Sequence, residues 1–486
     1  MQNKIRILQI LVIIFVASIV RFWQDAGPLT LDEAEYALAA RHGIVANALD
    51  LENLNQSRHY HGPGQVYLIR LSTLLFGDNE LAVRLPAYIV SILTCVLLLF
   101  IGWRIRPDNL WFGFVAAFLL AINPVHAQVG RIANMHSTCT FLTLLVFFFL
   151  LQGIKTGKWK YFYLFSATIA LYLATMEYGL VLLFIAGVTL LIFPNPVLNW
   201  RSKPIFISKN LLVMILIMFG VFLLIWPAGV IKVDLLRNFV YYLKYAHKGH
   251  PIQFLGSLTR HVPGWAYLYW HWVVNPVFFV LSIVAVVYLF AKIARRRATL
   301  DEKVLAVFIG ILTLVLLKQH VMSIRYSVYI VPFLSIATAM LLYAVYEFVP
   351  SKILFGSVLL LIFITNVPKF NVISPGEQGY RRVSEYLQQE ASPEAKILAW
   401  YKSILSYYLP DFVNLQNYNT GSSTPDLRKQ ISAREFDYII LYENQKKRWP
   451  DDPAYALIED NYNLLKTYYW REIPKLWLYH RKVNGL

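Results

Sequence analysis

Long apolar runs with almost no charge recur along this chain, and they leave it few ways to fold. A run near 18 residues crosses about 30 Å of hydrocarbon as a helix. Inside lipid, only a helix or a closed barrel satisfies every backbone N–H and C=O. Eleven such spans are read, at about 5–22, 83–103, 110–124, 135–151, 161–176, 179–193, 210–228, 272–291, 303–317, 328–346 and 353–367. The third, sixth and ninth are short and suit tilted or re-entrant segments. Only 15% of residues are charged and 57% are hydrophobic, against about 25% charged in soluble domains. That is more apolar surface than one soluble core hides. The expected class is an all-α polytopic membrane domain. The first span has the length of a secretory signal but lacks a small-residue cleavage site, so it is read as a retained helix.

The net charge of +17 is uneven. Residues 1–367 hold 29 Lys/Arg against 14 Asp/Glu, whereas residues 368–486 hold 16 against 14. The basicity therefore belongs to the membrane part, where it sets topology and suits an anionic lipid rather than nucleic acid. With Lys4 and Arg6 inside, the clusters Arg104/Arg106, Lys155/Lys158/Lys160, Arg201/Lys203/Lys209 and Arg295–Arg297 all fall on the same inner side. An odd number of spans then sends the C-terminal segment outside. The location expected is a cell (inner) membrane, with a cytoplasmic N-terminus. Domains are read as 1–367, membrane, with outer loops 24–82 and 229–271, and 368–486, a small extracytoplasmic α/β domain. In the latter "GYRRVSEYLQQE" reads as a helix, and "KILAWY", "FDYIILYE" and "KLWLYHRK" read as strands. Cys95 and Cys139 both lie in apolar spans with no metal spacing.

The stretch "TLDEAEYALAARHG" (30–43) follows the first span and carries three acids. Thr30 and, three residues on, Glu33 form a capping box; acids suit the first turn, and Gly43 stops the helix after Arg41 and His42. Capping accounts for Glu33 but not for Asp32. The outer loops also keep cations where topology depletes them: Arg58, His59 and His61, then Arg131, then Lys318, His320 and Arg325. Each alone is a side chain snorkelling to headgroups. Together with an acid pair they point to a site that handles a phosphate at the membrane surface. Glu177 reads as a paired structural acid. The segment 238–254, mixing Tyr with Lys and His, reads as an interfacial cover.

"LDEAEYALAAR" resembles the first-loop acidic motif of the C-type, lipid-linked-sugar glycosyltransferases, nearest the protein-O-mannosyltransferase and aminoarabinose transferase group. In order along the chain, "HGPGQVYLIRL", "LFGDNELAVRLPA", "VGRIANMHSTCTFLTLL" and "IRYSVYIVPFLSIA" are similar to that family's later elements. The chain differs at Gly62-Pro63-Gly64, where two adjacent prolines are usual, and at Asn134 and His136, where an acid is usual. The resemblance implies a donor sugar on a polyprenyl phosphate and an acceptor hydroxyl on a glycan, lipid or protein. It implies Asp32 as general base, with Glu33, Arg58, His61, Arg131, Lys318, His320, Arg325 and Tyr326 around the substrates. One base and a phosphate leaving group imply inversion. No cofactor is demanded beyond the lipid-linked sugar, and His59-x-His61 without further ligand spacing is a weak metal signal. A transporter or flippase for the same lipid, or a non-catalytic partner in glycan assembly, is the competing expectation. A transporter would carry matched half-repeats and mid-span ionisable residues, which the chain does not display.

Overall fold

The computed structural model describes residues 2–22, 27–49, 61–193, 204–318 (apart from 234, 238, 241, 242, 245–251, 256, 260 and 261), 323–371, 378–418, 423–470 and 473–482. The chain divides into two compact units. The first comprises Met1–Asp25, Gly43–Glu52 and His59–Val372; the second comprises Ala26–His42, Asn53–Arg58 and Ile373–Leu486. The boundary expected at 367/368 thus lies a few residues later. The acidic stretch of the first loop clusters with the C-terminal unit rather than with the membrane part.

Each of the eleven apolar spans coincides with a helix: Gln2–Phe22, Glu80–Ile105, Leu110–Ala121, Met135–Thr156, Trp159–Leu173, Gly179–Ile192, Pro204–Ile225, Pro276–Ala294, Leu300–Lys318, Val331–Phe348 and Lys352–Asn366. Seven described helices are long and apolar enough to cross a membrane. Starts are local and polar. Asn79, Asn109, Asn123 and Asn134 each precede a helix and accept hydrogen bonds from its first free N–H groups. The helix Met135–Thr156 is central, with 78% of its apolar stretch buried, against 17% for Ile207–Ile225, which shows its sides to lipid. Phe147, Phe308 and Phe333 meet edge-on or tilted around that central helix.

Two polar contacts fix how helix ends meet in this unit. Arg21, fully buried, donates to Ser91 Oγ (2.5 Å), the carbonyls of Ala17 and Ala121, and Cys95 Sγ, and lies 2.7 Å from His126 Nδ1. At one end of the central helix, Lys155 pairs with Asp301 (2.9 Å), while Lys292 and Arg106 share Glu302 (2.5 and 3.9 Å). Three basic residues from the expected inner side therefore converge on one end of the bundle. The central helix rises about 1.5 Å per residue, so its N-terminal residues, Asn134 and His136, stand at the other end.

The C-terminal unit holds a five-stranded mixed sheet, with β3 (Ile397–Ala399), β4 (Leu415–Asn417), β5 (Tyr438–Tyr442), β6 (Tyr462–Trp470) and β7 (Ile473–Arg481) in the order β4-β3-β5-β7-β6. A short hairpin, β1 (Ile252–Phe254) with β2 (Ser257–Thr259), belongs to the membrane unit. β3 runs parallel to β4 and β5; β7 runs antiparallel to β5 and β6. β5 is buried along its whole length, as a central strand requires. The three strands read from the sequence are β3, β5 and β7, and the helix is Gln378–Glu390. Burial alone would push the Asp452 carboxyl up, but bonds from Ser423 Oγ and N, Ala454 N and Tyr418 hold it below the usual carboxylate range.

The helix Leu31–Arg41 packs in this same unit. Thr30 Oγ1 accepts from Glu33 N and the Glu33 carboxylate accepts from Thr30 N, so the capping box is complete. Leu29 N donates to Tyr408 OH (2.9 Å), and Arg41 stacks on the Tyr407 ring at 4.5 Å while donating to its carbonyl.

In the membrane unit, helices Glu80–Ile105 and Leu110–Ala121 touch backbone to backbone, because a Cβ on Gly102 would lie 2.3 Å from Gly113 Cα. Gly102→Ala is expected to force these helices apart and lower stability by about 1–3 kcal/mol. Thermal unfolding in detergent measures this; an unchanged midpoint would mean the contact is looser than described.

Candidate active site

The end of the membrane unit that holds the head of the central helix is built from four short pieces of chain. The residues before helix Gly64–Phe76 press on the turn 174–178, because Gly62 has no side chain. A Cβ there would lie 2.2 Å from the Ala174 carbonyl oxygen. Gly64 N donates to that same oxygen (2.9 Å). This close approach sets His61 beside the turn, where Nδ1 donates to Glu177 Oε2 (2.9 Å).

A second histidine comes from the head of the central helix. Asn134 caps that helix by accepting from His136 N (3.0 Å). The buried His136 ring then meets the 3₁₀ turn Ile324–Tyr329, with Nδ1 at 2.5 Å from Tyr329 OH. Tyr329 OH also lies 3.2 Å from Met176 Sδ, and its ring stacks on Tyr178 at 6.0 Å. Tyr326 sits edge-on to His136 (centroids 4.9 Å), and the Arg325 guanidinium lies 5.8 Å from the Tyr326 ring. His61, Glu177, Met176, Tyr329, His136 and Arg325 thus form one continuous chain of contacts. Two polar atoms within it, Glu177 Oε1 and His136 Nε2, are buried and have no hydrogen-bond partner among the described residues.

The residues expected from the sequence divide into four groups. His61, Arg325 and Tyr326 are brought together through His136. Arg131 is fully buried and donates from Nη1 to the Phe370 carbonyl (3.0 Å), while Lys318 is the exposed last residue of its helix. Asp32 and Glu33 lie in the first turn of Leu31–Arg41 in the other unit, Asp32 half-buried and Glu33 fully buried in the cap. Arg58 and His320 lie outside the described residues, as does most of 238–254. Among the described residues no three His, Cys, Asp or Glu side chains converge to hold a metal. Glu177 is paired, as expected of it. The sequence reading did not assign a role to His136 or Tyr329. The signal lay in Asn134-x-His136, a helix cap followed by a histidine.

The 3₁₀ turn is pinned from behind by His271 Nε2 at 2.8 Å from Ser327 Oγ. Burial pulls His271 down to about 4, so it is neutral at physiological pH.

Residues 60–226 match the family described as dolichyl-phosphate-mannose-protein mannosyltransferase. That segment contains His61, Arg131, His136 and Glu177. No curated protein sequence matches the chain. Among solved structures, ArnT from Cupriavidus metallidurans in the apo state is 12% identical, covers 98% of each chain and has a TM-score of 0.65. The same protein bound to undecaprenyl phosphate is 13% identical over 98% of each chain, with a TM-score of 0.61. The Archaeoglobus fulgidus oligosaccharyltransferase in its apo form is 12% identical, with 90% of this chain and 69% of that chain covered and a TM-score of 0.60. The polytopic chain therefore has the fold of these glycosyltransferases, and residues 60–226 match the mannosyltransferase family model.

Because the folded state keeps His271 neutral down to about 4, the unfolded state alone takes up that proton between pH 6.5 and 4. Stability is lost over that window as pH falls. Unfolding midpoints measured from pH 7 to 4 should drop more steeply for wild type than for His271→Asn; parallel curves would remove His271 from the account.

Proposed function

We propose that this chain is a membrane glycosyltransferase that moves a sugar from a polyprenyl-phosphate donor to an acceptor hydroxyl, with inversion at the anomeric carbon. The observation that carries the reading is coincidence in one segment. The stretch matching the mannosyltransferase family supplies His61, His136 and Glu177, three members of that chain of contacts. The shared fold with a protein solved bound to undecaprenyl phosphate supports an anionic isoprenoid lipid as the donor's carrier.

The chemistry divides between two tasks. A lipid phosphate is a stable leaving group and needs no general acid, only positive charge where its negative charge grows. Arg325, held in the 3₁₀ turn, offers a planar fork to phosphate oxygens, and Lys318 a compact charge. A hydroxyl acceptor is a poor nucleophile and needs a base in hydrogen-bond reach. Asp32 takes that role. The capping box occupies Thr30 and Glu33 and makes no use of the Asp32 carboxylate. A first-turn position favours the ionised form of a carboxylate, which a base requires. With one base and no carboxylate nucleophile, displacement is single and the product inverted.

Purified protein supplied with undecaprenyl-phospho-sugars should release undecaprenyl phosphate. Asp32→Asn is expected to lower turnover by about 10²-fold or more while keeping donor affinity; undiminished turnover would exclude Asp32 as the base. Arg325→Ala should weaken donor binding as well as turnover. If donor affinity is unchanged in that variant, the phosphate contact belongs to another cation.

A further inference from the structure

We propose that Glu177 reads the transferred sugar: while His61 holds Oε2, Oε1 accepts a hydrogen bond from a ring hydroxyl or ring ammonium of the sugar on its polyprenyl phosphate. The assignment rests on the glycosyltransferase reading above and adds to it the group that distinguishes one donor sugar from another.

Three observations lead there. A carboxylate buried to 3% exposure satisfies one oxygen with His61 Nδ1–H and leaves the other buried without a donor among the described residues. Burying an acceptor without a partner is costly, and a ligand that donates to it recovers that cost. The clamp between residues 61–64 and the turn 174–178 does not require a charge either. The close approach at Gly62 and the Gly64 N–Ala174 O bond already join the two segments. A neutral glutamine would accept from His61 equally well.

The third observation is the order of groups along the site. Tyr326 contacts both Arg325 and His136, His136 contacts Tyr329, and Tyr329 stacks on Tyr178, the sequence neighbour of Glu177. A glycosyl phosphate has the matching order: an anion, then a ring with apolar faces, then hydroxyls that donate. Aromatic rings suit the ring faces, the guanidinium suits the phosphate, and the carboxylate oxygen suits a donating substituent. Glu177 lies in the turn between Trp159–Leu173 and Gly179–Ile192, and His61 precedes Gly64–Phe76. Both residues therefore lie outside the helices that flank them.

The test measures equilibrium binding to full-length protein in nanodiscs. The probes are undecaprenyl phosphate, undecaprenyl-phospho-mannose, undecaprenyl-phospho-glucose and an undecaprenyl-phospho-amino sugar. Glu177→Gln should weaken the best-bound sugar-bearing lipid by about tenfold or more, as loss of a charge-assisted bond implies, and leave undecaprenyl phosphate unchanged. A loss confined to the amino sugar identifies the ammonium as the group read, and a comparable loss on the neutral sugars identifies a hydroxyl. Glu177→Asp, which keeps the charge but withdraws the oxygen, should give the same pattern and serves if the glutamine variant does not fold. Equal binding by wild type and both variants, or a parallel loss on undecaprenyl phosphate itself, would overturn the assignment. Failure of the glycosyltransferase reading looks different. In that case wild type releases no undecaprenyl phosphate from any donor, whatever the Glu177 variants do to binding.

Discussion

Everything in the membrane unit follows from one constraint: in hydrocarbon a backbone N–H or C=O has no water to bond and must be satisfied within its own segment. Helices meet that demand along their length and fail it at their ends, where four N–H groups are left over. The chain answers with asparagine. Asn79, Asn109, Asn123 and Asn134 each sit one residue ahead of a helix and accept from its first turn. Polar chemistry gathers where the helices stop. Asn134 shows the consequence, since the residue whose N–H it caps is His136, which the cap delivers to Tyr329.

The same constraint explains the buried charges. Arg21 at the end of the first helix has neutral partners, spreading its donors over Ser91, Cys95, two carbonyls and His126. A guanidinium has five donors in a fixed fork, so it can tie several helix ends together where an ammonium could not. At the opposite end of the bundle the cations are paired instead, on Asp301 and Glu302. The described part of the membrane unit therefore has one end where cations are paired with acids, and another where His61 meets Glu177 and His136 meets Tyr329.

Much of the architecture was legible in the residues. All eleven apolar spans are helices, because a long uncharged run has one solution in lipid. The capping box at Thr30 and Glu33 is formed as its three-residue spacing requires, because the contact is local. Three strands of the C-terminal sheet were readable from β-branched and aromatic runs, whereas β4, with two amide side chains in three residues, and β6 were not read. Within the site, His61, Arg325 and Tyr326 stood out as outer-face cations and their neighbour. Glu177 was legible chiefly as an acid needing a partner, and Tyr329 was not singled out.

By itself, the sequence determined the membrane class, the helices and their caps, and the residue types suited to a phosphate. Those features depend on composition and on contacts within a few positions. Only the tertiary structure decided that His61 meets Glu177 across 116 residues and His136 meets Tyr329 across 193. It also grouped the helix bearing Asp32 with the C-terminal sheet rather than with the spans that flank it in sequence. Such pairings depend on which helix ends the packed bundle brings together. That packing depends on backbone contacts such as Gly62 on Ala174 and Gly102 on Gly113, where the informative feature is a missing side chain.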